Sequence, residues 1–309
     1  MRMAMQNQIQ QAVVEISQLI IGKQREIKLA LTCLLAGGHL LIEDLPGMGK
    51  TTLSHALARV FGLDFSRVQF TSDLLPADML GVNIFNSQTQ AFVFHPGPLF
   101  SQVVLADEIN RASPKTQSAL LEAMEERQVS LDGETHKLPS PFFVIGTQNP
   151  IHQAGTYPLP ESQLDRFLMR IQLGYPSWQA EKAMLQQPMQ DNATTIKPVL
   201  DETLLAQIQQ SIPKVHAAEG ILDYILRLVT LSRESEQFPN ALSPRATKAL
   251  LQAARSWAVV EGRDYLIPED VQAVLPAVAE HRLRSALTDH PTQTSLSRIL
   301  LEQVDPLAA

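Results

Sequence analysis

A lysine and a threonine behind a pair of glycines are the first residues in this chain whose spacing suggests chemistry. They lie in the segment Glu43-Asp44-Leu45-Pro46-Gly47-Met48-Gly49-Lys50-Thr51-Thr52. Glycines let backbone N–H groups come close to phosphate oxygens, and a helix that follows presents its positive end. Lys50 would reach the β- and γ-phosphates of a nucleotide, and the Thr51 hydroxyl would sit on Mg²⁺. Asp44, Pro46, Gly47, Met48, Gly49 and Thr52 complete the nucleotide-binding loop. One position departs from the usual pattern: Asp44 stands where such loops begin with glycine. Gly47 and Gly49 remain, so the turn can still form. From average residue usage, Pro-Gly-x-Gly-Lys-Ser/Thr arises by chance roughly 10⁻³ times in a chain of this length.

A second cluster is acidic. Val103-Val-Leu-Ala-Asp107-Glu108 reads as a buried strand ending in two carboxylates. Asp107 would hold Mg²⁺ through water, and Glu108 would polarise the water that attacks the γ-phosphate. A strand ending in Asp-Glu is also a common solvated terminus. Its place about 55 residues after Lys50, with a strand between, favours the catalytic reading. Phe142–Asn149 repeats the geometry on another strand, so the Asn149 amide could hold the attacking water or the γ-phosphate. Asn before proline is equally a turn former. Two arginines complete the set. Arg166 precedes the fifth strand, and Arg245 opens a helix further on. A guanidinium near the γ-phosphate stabilises charge that develops during phosphoryl transfer, although either arginine could serve in a surface ion pair.

The elements that must position these groups follow from periodicity. Ile9–Leu35 shows helical spacing interrupted near Ile21-Gly22-Lys23, which predicts two helices around a turn. His39–Glu43 is a short apolar run, and Thr51–Phe61 returns to helical spacing. Strand, glycine loop and helix are the context a phosphate loop requires. Further strand-like runs occupy Arg67–Thr71, Gln102–Ala106, Phe142–Thr147 and Leu168–Leu173, with a helix over Pro114–Arg127. The alternation predicts an α/β core with a five-stranded, mainly parallel sheet. Two hairpins interrupt it: Val82–Phe94 around Asn86-Ser87, and Gln128–Leu138 around Asp132-Gly133. After Tyr175-Pro176 the strands stop. Helical segments fill Leu204–Ile212, Ile221–Glu234, Pro244–Glu261 and Pro268–Arg284, and Asp191–Pro198 reads as a polar loop. The expected division is an α/β ATPase core over residues 1–174 and an all-α lid over 175–309.

Composition bounds the class. The chain has 309 residues, is 45% hydrophobic and carries a net charge of −7. No apolar run approaches the ~20 residues of a membrane span, and the start of the chain lacks the apolar centre of a signal peptide. The single cysteine, Cys33, lies in the apolar run Leu29–Leu35 and reads as core. These features point to the cytoplasm, without membrane insertion. Without a block of basic residues, the acidic balance argues against a general nucleic-acid binder.

Together the motifs resemble an AAA+ ATPase, and the longer stretches are similar to the MoxR family of chaperone-like ATPases. They are Gln69–Asp78, Gly97–Phe100, Ala106–Arg111, Gln117–Arg127, Gly146–Pro150, Gly155–Glu161, Glu261–Tyr265 and His281–Leu283. The resemblance spans nearly the whole chain. It implies ATP and Mg²⁺ as cofactors and a ring homo-oligomer, usually a hexamer, with ATP at subunit interfaces. It implies that Arg166 acts in trans as an arginine finger, that Arg245 is the sensor in the lid, and that Arg111 faces a neighbour. The hairpins correspond to insertions that line the pore in related machines. Partners implied are a protein with a von Willebrand factor A domain and a client complex to be remodelled, matured or loaded with metal. The competing readings are a nucleic-acid-translocating motor and a nucleotide-dependent scaffold or switch. Glu108, Asn149 and Arg166 argue against the second. A small-molecule kinase would need an acceptor site, and no pattern for one is visible.

Overall fold

The computed structural model describes residues 2–149, 156–186, 196–284 and 295–306. Pro150, Gly155 and residues 191–195, which belong to motifs and a loop read above, lie outside the described residues. Two helices open the chain, α1 (Arg2–Leu19) and α2 (Gln24–Leu35), with Gly22 left-handed in the turn between them. The core follows as β1 (His39–Glu43), α3 (Lys50–Val60), β2 (Phe65–Gln69), α4 (Pro76–Leu80), β3 (Gly81–Asn86), β4 (Ala91–Pro96) and β5 (Val103–Asp107). Then come α5 (Pro114–Glu126), β6 (Gln128–Leu131), β7 (Glu134–Lys137), β8 (Phe143–Gln148), α6 (Glu161–Leu164) and β9 (Phe167–Ile171). Beyond β9 only helices appear among the described residues: α7 (Trp178–Gln186), α8 (Glu202–Ser211), α9 (Glu219–Glu234), α10 (Pro244–Val260), α11 (Pro268–Leu283) and α12 (Leu296–Gln303).

Five strands form one sheet in the order β2-β5-β8-β1-β9, and every pairing is parallel. β1, β5 and β8 are buried along their whole length, as inner strands of a covered parallel sheet must be. Parallel strands put all their C-terminal ends on one edge, which brings the ends of β1, β5 and β8 side by side. The fold class matches the sequence reading; the four sheet strands after the first shift by one or two residues, β2 and β9 the most. The second strand was expected over Arg67–Thr71 but runs over Phe65–Gln69. It is an edge strand that pairs only with β5, so its ladder ends where β5 ends, at Gln69 opposite Asp107. The last strand likewise ends at Ile171, its final residue paired with β1.

Local chemistry sets the helix ends that matter. Ser113 accepts a hydrogen bond from the Thr116 N–H and precedes Pro114, which starts α5. Arg127 adopts a left-handed backbone and ends it. Ser243 caps α10 in the same way, with Pro244 in its first turn. Of the two hairpins, β6–β7 turns through Asp132-Gly133, both at positive φ, as an Asp-Gly turn predicts. The turn of β3–β4 covers Ser87–Gln90, slightly beyond the expected Asn86-Ser87. The hairpins dock on each other: Phe94 stacks on His136 at 3.9 Å, and the Asn83 amide donates to Asp132 at 2.8 Å.

The helical region is joined tightly to the sheet. One apolar cluster runs through α1, α2, α3, β1 and β9 into α8, α9, α10 and α11. Polar bonds seal the seam. The Ser256 hydroxyl donates to Thr32 O at 2.8 Å, Gln6 and Gln10 donate to Val260 O, and Lys28 pairs with Glu261 at 2.7 Å. No described helix is long and apolar enough to cross a membrane.

Candidate functional site

At the C-terminal edge of the sheet, β1 runs into the glycine loop. Gly47 and Gly49 both take left-handed φ, at 83° and 85°, a conformation that glycine adopts at little cost. Nothing lies within 4 Å of a side chain built at Gly47, so backbone conformation alone demands glycine there. Lys50 starts α3 and is only 7% exposed. Its ammonium donates to Asp44 O at 2.5 Å, Leu45 O at 3.3 Å and the Asn149 carboxamide oxygen at 3.1 Å. Burial lowers its pKa, and the carboxylates of Asp44, Asp107 and Glu108 oppose that shift.

Asp44 has a role that the sequence did not reveal. Its Oδ2 accepts from the N–H groups of Leu173 (2.7 Å) and Gly174 (2.6 Å), and its Oδ1 accepts from Leu45 N–H at 2.9 Å. The carboxylate therefore ties the chain leaving β9 to the start of the phosphate loop. Its side chain belongs to that tie, a different task from the nucleotide contact expected of it. Buried N–H groups left without acceptors each cost about 1–3 kcal/mol. Asp44→Ala should destabilise the protein by about 2–3 kcal/mol on that basis. Urea denaturation would measure the loss, and an unchanged midpoint would refute the tie.

The acidic pair stands beside the loop. The Thr147 hydroxyl donates to Asp107 Oδ1 at 2.5 Å and accepts from the Glu108 N–H at 2.9 Å. Arg67 reaches Asp107 Oδ2 from β2 at 2.6 Å, and Gln69 donates to Glu108 Oε2 at 3.1 Å. Glu108 holds a left-handed backbone, φ 57°, which a residue with a side chain adopts only at a cost. Its other oxygen accepts from the Asn149 amide at 3.0 Å. Asn149 therefore bridges Lys50 and Glu108 with the two ends of one carboxamide. Five residues from the ends of two strands, β5 and β8, and the start of one helix converge at this edge: Lys50, Thr147, Asn149, Asp107 and Glu108. Thr147, Arg67 and Gln69 were assigned no role from sequence; Thr147 is a polar residue near the end of the buried strand β8, and Arg67 and Gln69 are alternate polar residues of the edge strand β2.

The oxygen set suits a hard cation. Thr51 lies in the first turn of α3, and Asp107 offers a carboxylate fixed by Thr147 and Arg67. Hydroxyl and carboxylate oxygens are ligand types that Mg²⁺ takes. Thr52 follows in the same turn, and Pro46 and Met48 lie in the loop itself.

Other segments flank the loop. A side chain built at Gly49 would stand 3.6 Å from Ile20 Cδ1. Lys23 donates to Tyr175 O at 2.8 Å, and Gly22 packs against Ala180 so closely that a Cβ there would clash at 2.9 Å. The turn after α1 and the segment after β9 thus border the phosphate loop.

The arginines lie elsewhere. Arg166 Nε bonds Glu125 at 2.7 Å, and Arg245 Nη1 bonds the other Glu125 oxygen at 3.3 Å. Glu125 is near the end of α5, where Met124 O contacts His39, the first residue of β1. The arginines therefore sit at the N-terminal edge of the sheet, separated from the phosphate loop by the length of β1, roughly 15 Å. Arg245, expected as the sensor in the lid, stands beside Arg166 at this edge. Arg111 pairs with Glu108 of its own chain at 3.1 Å.

Comparison with known proteins agrees with this architecture. The profile described as ATPase family associated with various cellular activities matches residues 39–169, and the AAA lid domain profile matches residues 231–299. The chain is 42% identical over 284 residues to Chaperone MoxR1 of Mycobacterium tuberculosis, covering 89% of this chain and 75% of that one. The chain belongs to the MoxR family of AAA+ ATPases. Another relative bearing the MoxR name, from Methylorubrum extorquens, is 31% identical over 87% of this chain and 85% of its own. An uncharacterised protein of Bacillus subtilis, YeaC, is 47% identical over 88% of this chain and 85% of its own. A crystal structure of a candidate ATPase from Cytophaga hutchinsonii superposes with a TM-score of 0.88 at 34% identity, over 98% of this chain and 96% of that one. The MoxR assignment accounts for the sheet order, the loop and the helical region together.

Proposed function

We propose that the protein hydrolyses Mg-ATP in a ring of its own copies, with each site completed by Arg166 and Arg245 of a neighbour. The observation that carries this is the shared grip of Glu125 on both arginines, at the sheet edge opposite the phosphate loop. A subunit can hold the triphosphate with the loop backbone and Lys50. Ile20, close to Gly49, supplies apolar surface beside the loop for the nucleobase. Thr51 and Asp107 would hold Mg²⁺, which supplies positive charge to the phosphate oxygens. Glu108 takes a proton from the attacking water, and Asn149 keeps that carboxylate aligned with Lys50. Among the described residues, Arg166 and Arg245 lie at the sheet edge opposite the phosphate loop, too far to reach the γ-phosphate of their own subunit.

A hexamer is the proposed ring, and the cytoplasm the proposed location. The relative named a chaperone supports protein remodelling as the use of the energy. Clients awaiting maturation or metal loading, and a von Willebrand factor A domain protein as adaptor, remain part of this proposal. The acidic net charge of −7 disfavours a nucleic-acid motor. Hydrolysis per subunit should rise with protein concentration as rings form. A phosphate-release assay run alongside light scattering tests this; constant specific activity from monomer to assembly would overturn the shared-site reading.

A further inference from the structure

Arg282 ends α11, and its side chain is 5% exposed. A buried arginine must satisfy its N–H groups internally, and nearly all the acceptors here flank Arg166. Arg282 Nε donates to Asp165 Oδ1 at 2.6 Å, and Nη2 donates to Asp165 O at 3.2 Å and Phe167 O at 2.8 Å. Nη1 donates to Leu168 O at 3.2 Å and to Val278 O in its own helix. His281 Nε2 lies 3.3 Å from Phe167 O. The backbone is thus gripped on both sides of Arg166, while the Arg166 guanidinium turns outward to Glu125 and to Ser162 O at 3.2 Å.

The grip has two physical effects. It orders the backbone that carries Arg166 before any partner arrives, so less freedom is lost when the guanidinium meets a phosphate. It also occupies Asp165. That carboxylate adjoins Arg166 in sequence and lies 4.0 Å from Arg245 Nε. Without Arg282 it would be a free anion beside Arg245 and would compete with a phosphate for it.

We propose that Arg282 is a positioning residue: by bridging Asp165 and Phe167 it holds Arg166 ready for the γ-phosphate of an adjacent subunit. This rests on the trans reading above, and its test separates the two. Glu108→Gln subunits serve as arginine donors without turnover of their own, and Arg166→Ala subunits serve as acceptors with an intact site. Mixing them is the control. Adding Arg282→Gln to the donor should cut the restored rate at least ~10-fold, because small misplacements of a reacting group are costly. Adding it to the acceptor should leave the restored rate at the control value. Arg282→Lys, which keeps a buried cation but cannot bridge both partners, should give a smaller donor-side loss. Asp165→Asn gives the same donor-side test if both Arg282 variants fail to assemble. Equal losses on both sides would mean a merely structural role and overturn the proposal, as would full restoration on both. A control mixture that stays inactive while mixed rings form would instead overturn the trans reading, and this inference with it.

Discussion

Subunits of Arg166→Ala and of Glu108→Gln, each nearly inactive alone, should hydrolyse ATP when mixed. Arg166→Ala leaves Lys50, Asp107, Glu108 and Asn149 intact and removes only a group roughly 15 Å from its own phosphate loop. Its ATP affinity should match wild type. Its turnover should fall by roughly 10³–10⁵, the worth of an arginine finger supplied in trans. Glu108→Gln presents a normal Arg166 and an inert site. In a ring of head-to-tail contacts, about a quarter of the interfaces in an equal mixture join an intact glutamate to an intact arginine. Phosphate release should therefore rise from near zero to about a quarter of the wild-type rate if sites fire independently. A mixture as inactive as its components, with mixed rings verified by light scattering, would show that Arg166 serves no neighbour.

The second large effect belongs to Glu108 itself. Replacing it with glutamine keeps the size and the acceptor that the Asn149 amide uses, and it leaves the loop untouched. An amide cannot take a proton from water. Turnover should drop by roughly 10²–10⁴ while nucleotide affinity is retained, the range expected for loss of a general base. Nucleotide titration and single-turnover phosphate release measure the two quantities separately. Turnover within a factor of a few of wild type would move the base to another residue.

Much of the site was legible because its requirements are local. Gly47 and Gly49 announce left-handed backbone, Asp132-Gly133 announces a tight turn, and Ser113-Pro114 and Ser243-Pro244 announce helix starts. Each demand is met within a few residues, so sequence alone carries it. The acidic pair was legible as the end of an apolar strand. What sequence could not give was which strand lies next to which. Arg67 meets Asp107, and Thr147 meets Glu108, across some forty positions. Those contacts exist only because β5 lies between β2 and β8. Asp44 is the sharpest case: it looked like a flaw in a glycine pattern, and its partners lie about 130 positions away. Arg245 was correctly placed at a helix start, yet its proximity to Arg166 follows from how α10 and α11 pack on the sheet. Short helices such as α6 and α7 escaped notice because a turn or two gives too little periodicity to read.

The seam between the sheet and the helical region has a mechanical consequence. A hinge needs a boundary that parts cheaply, with few buried bonds crossing it. Here a continuous apolar interior crosses it, and Ser256, Gln6 and Gln10 reach over to carbonyls on the other side. Prying the two regions apart would expose oily surface and exchange those bonds for water. Rotating the helical region away from α1 and α2 would therefore have to break these bonds and uncover that apolar interior, which makes it a costly motion for this chain.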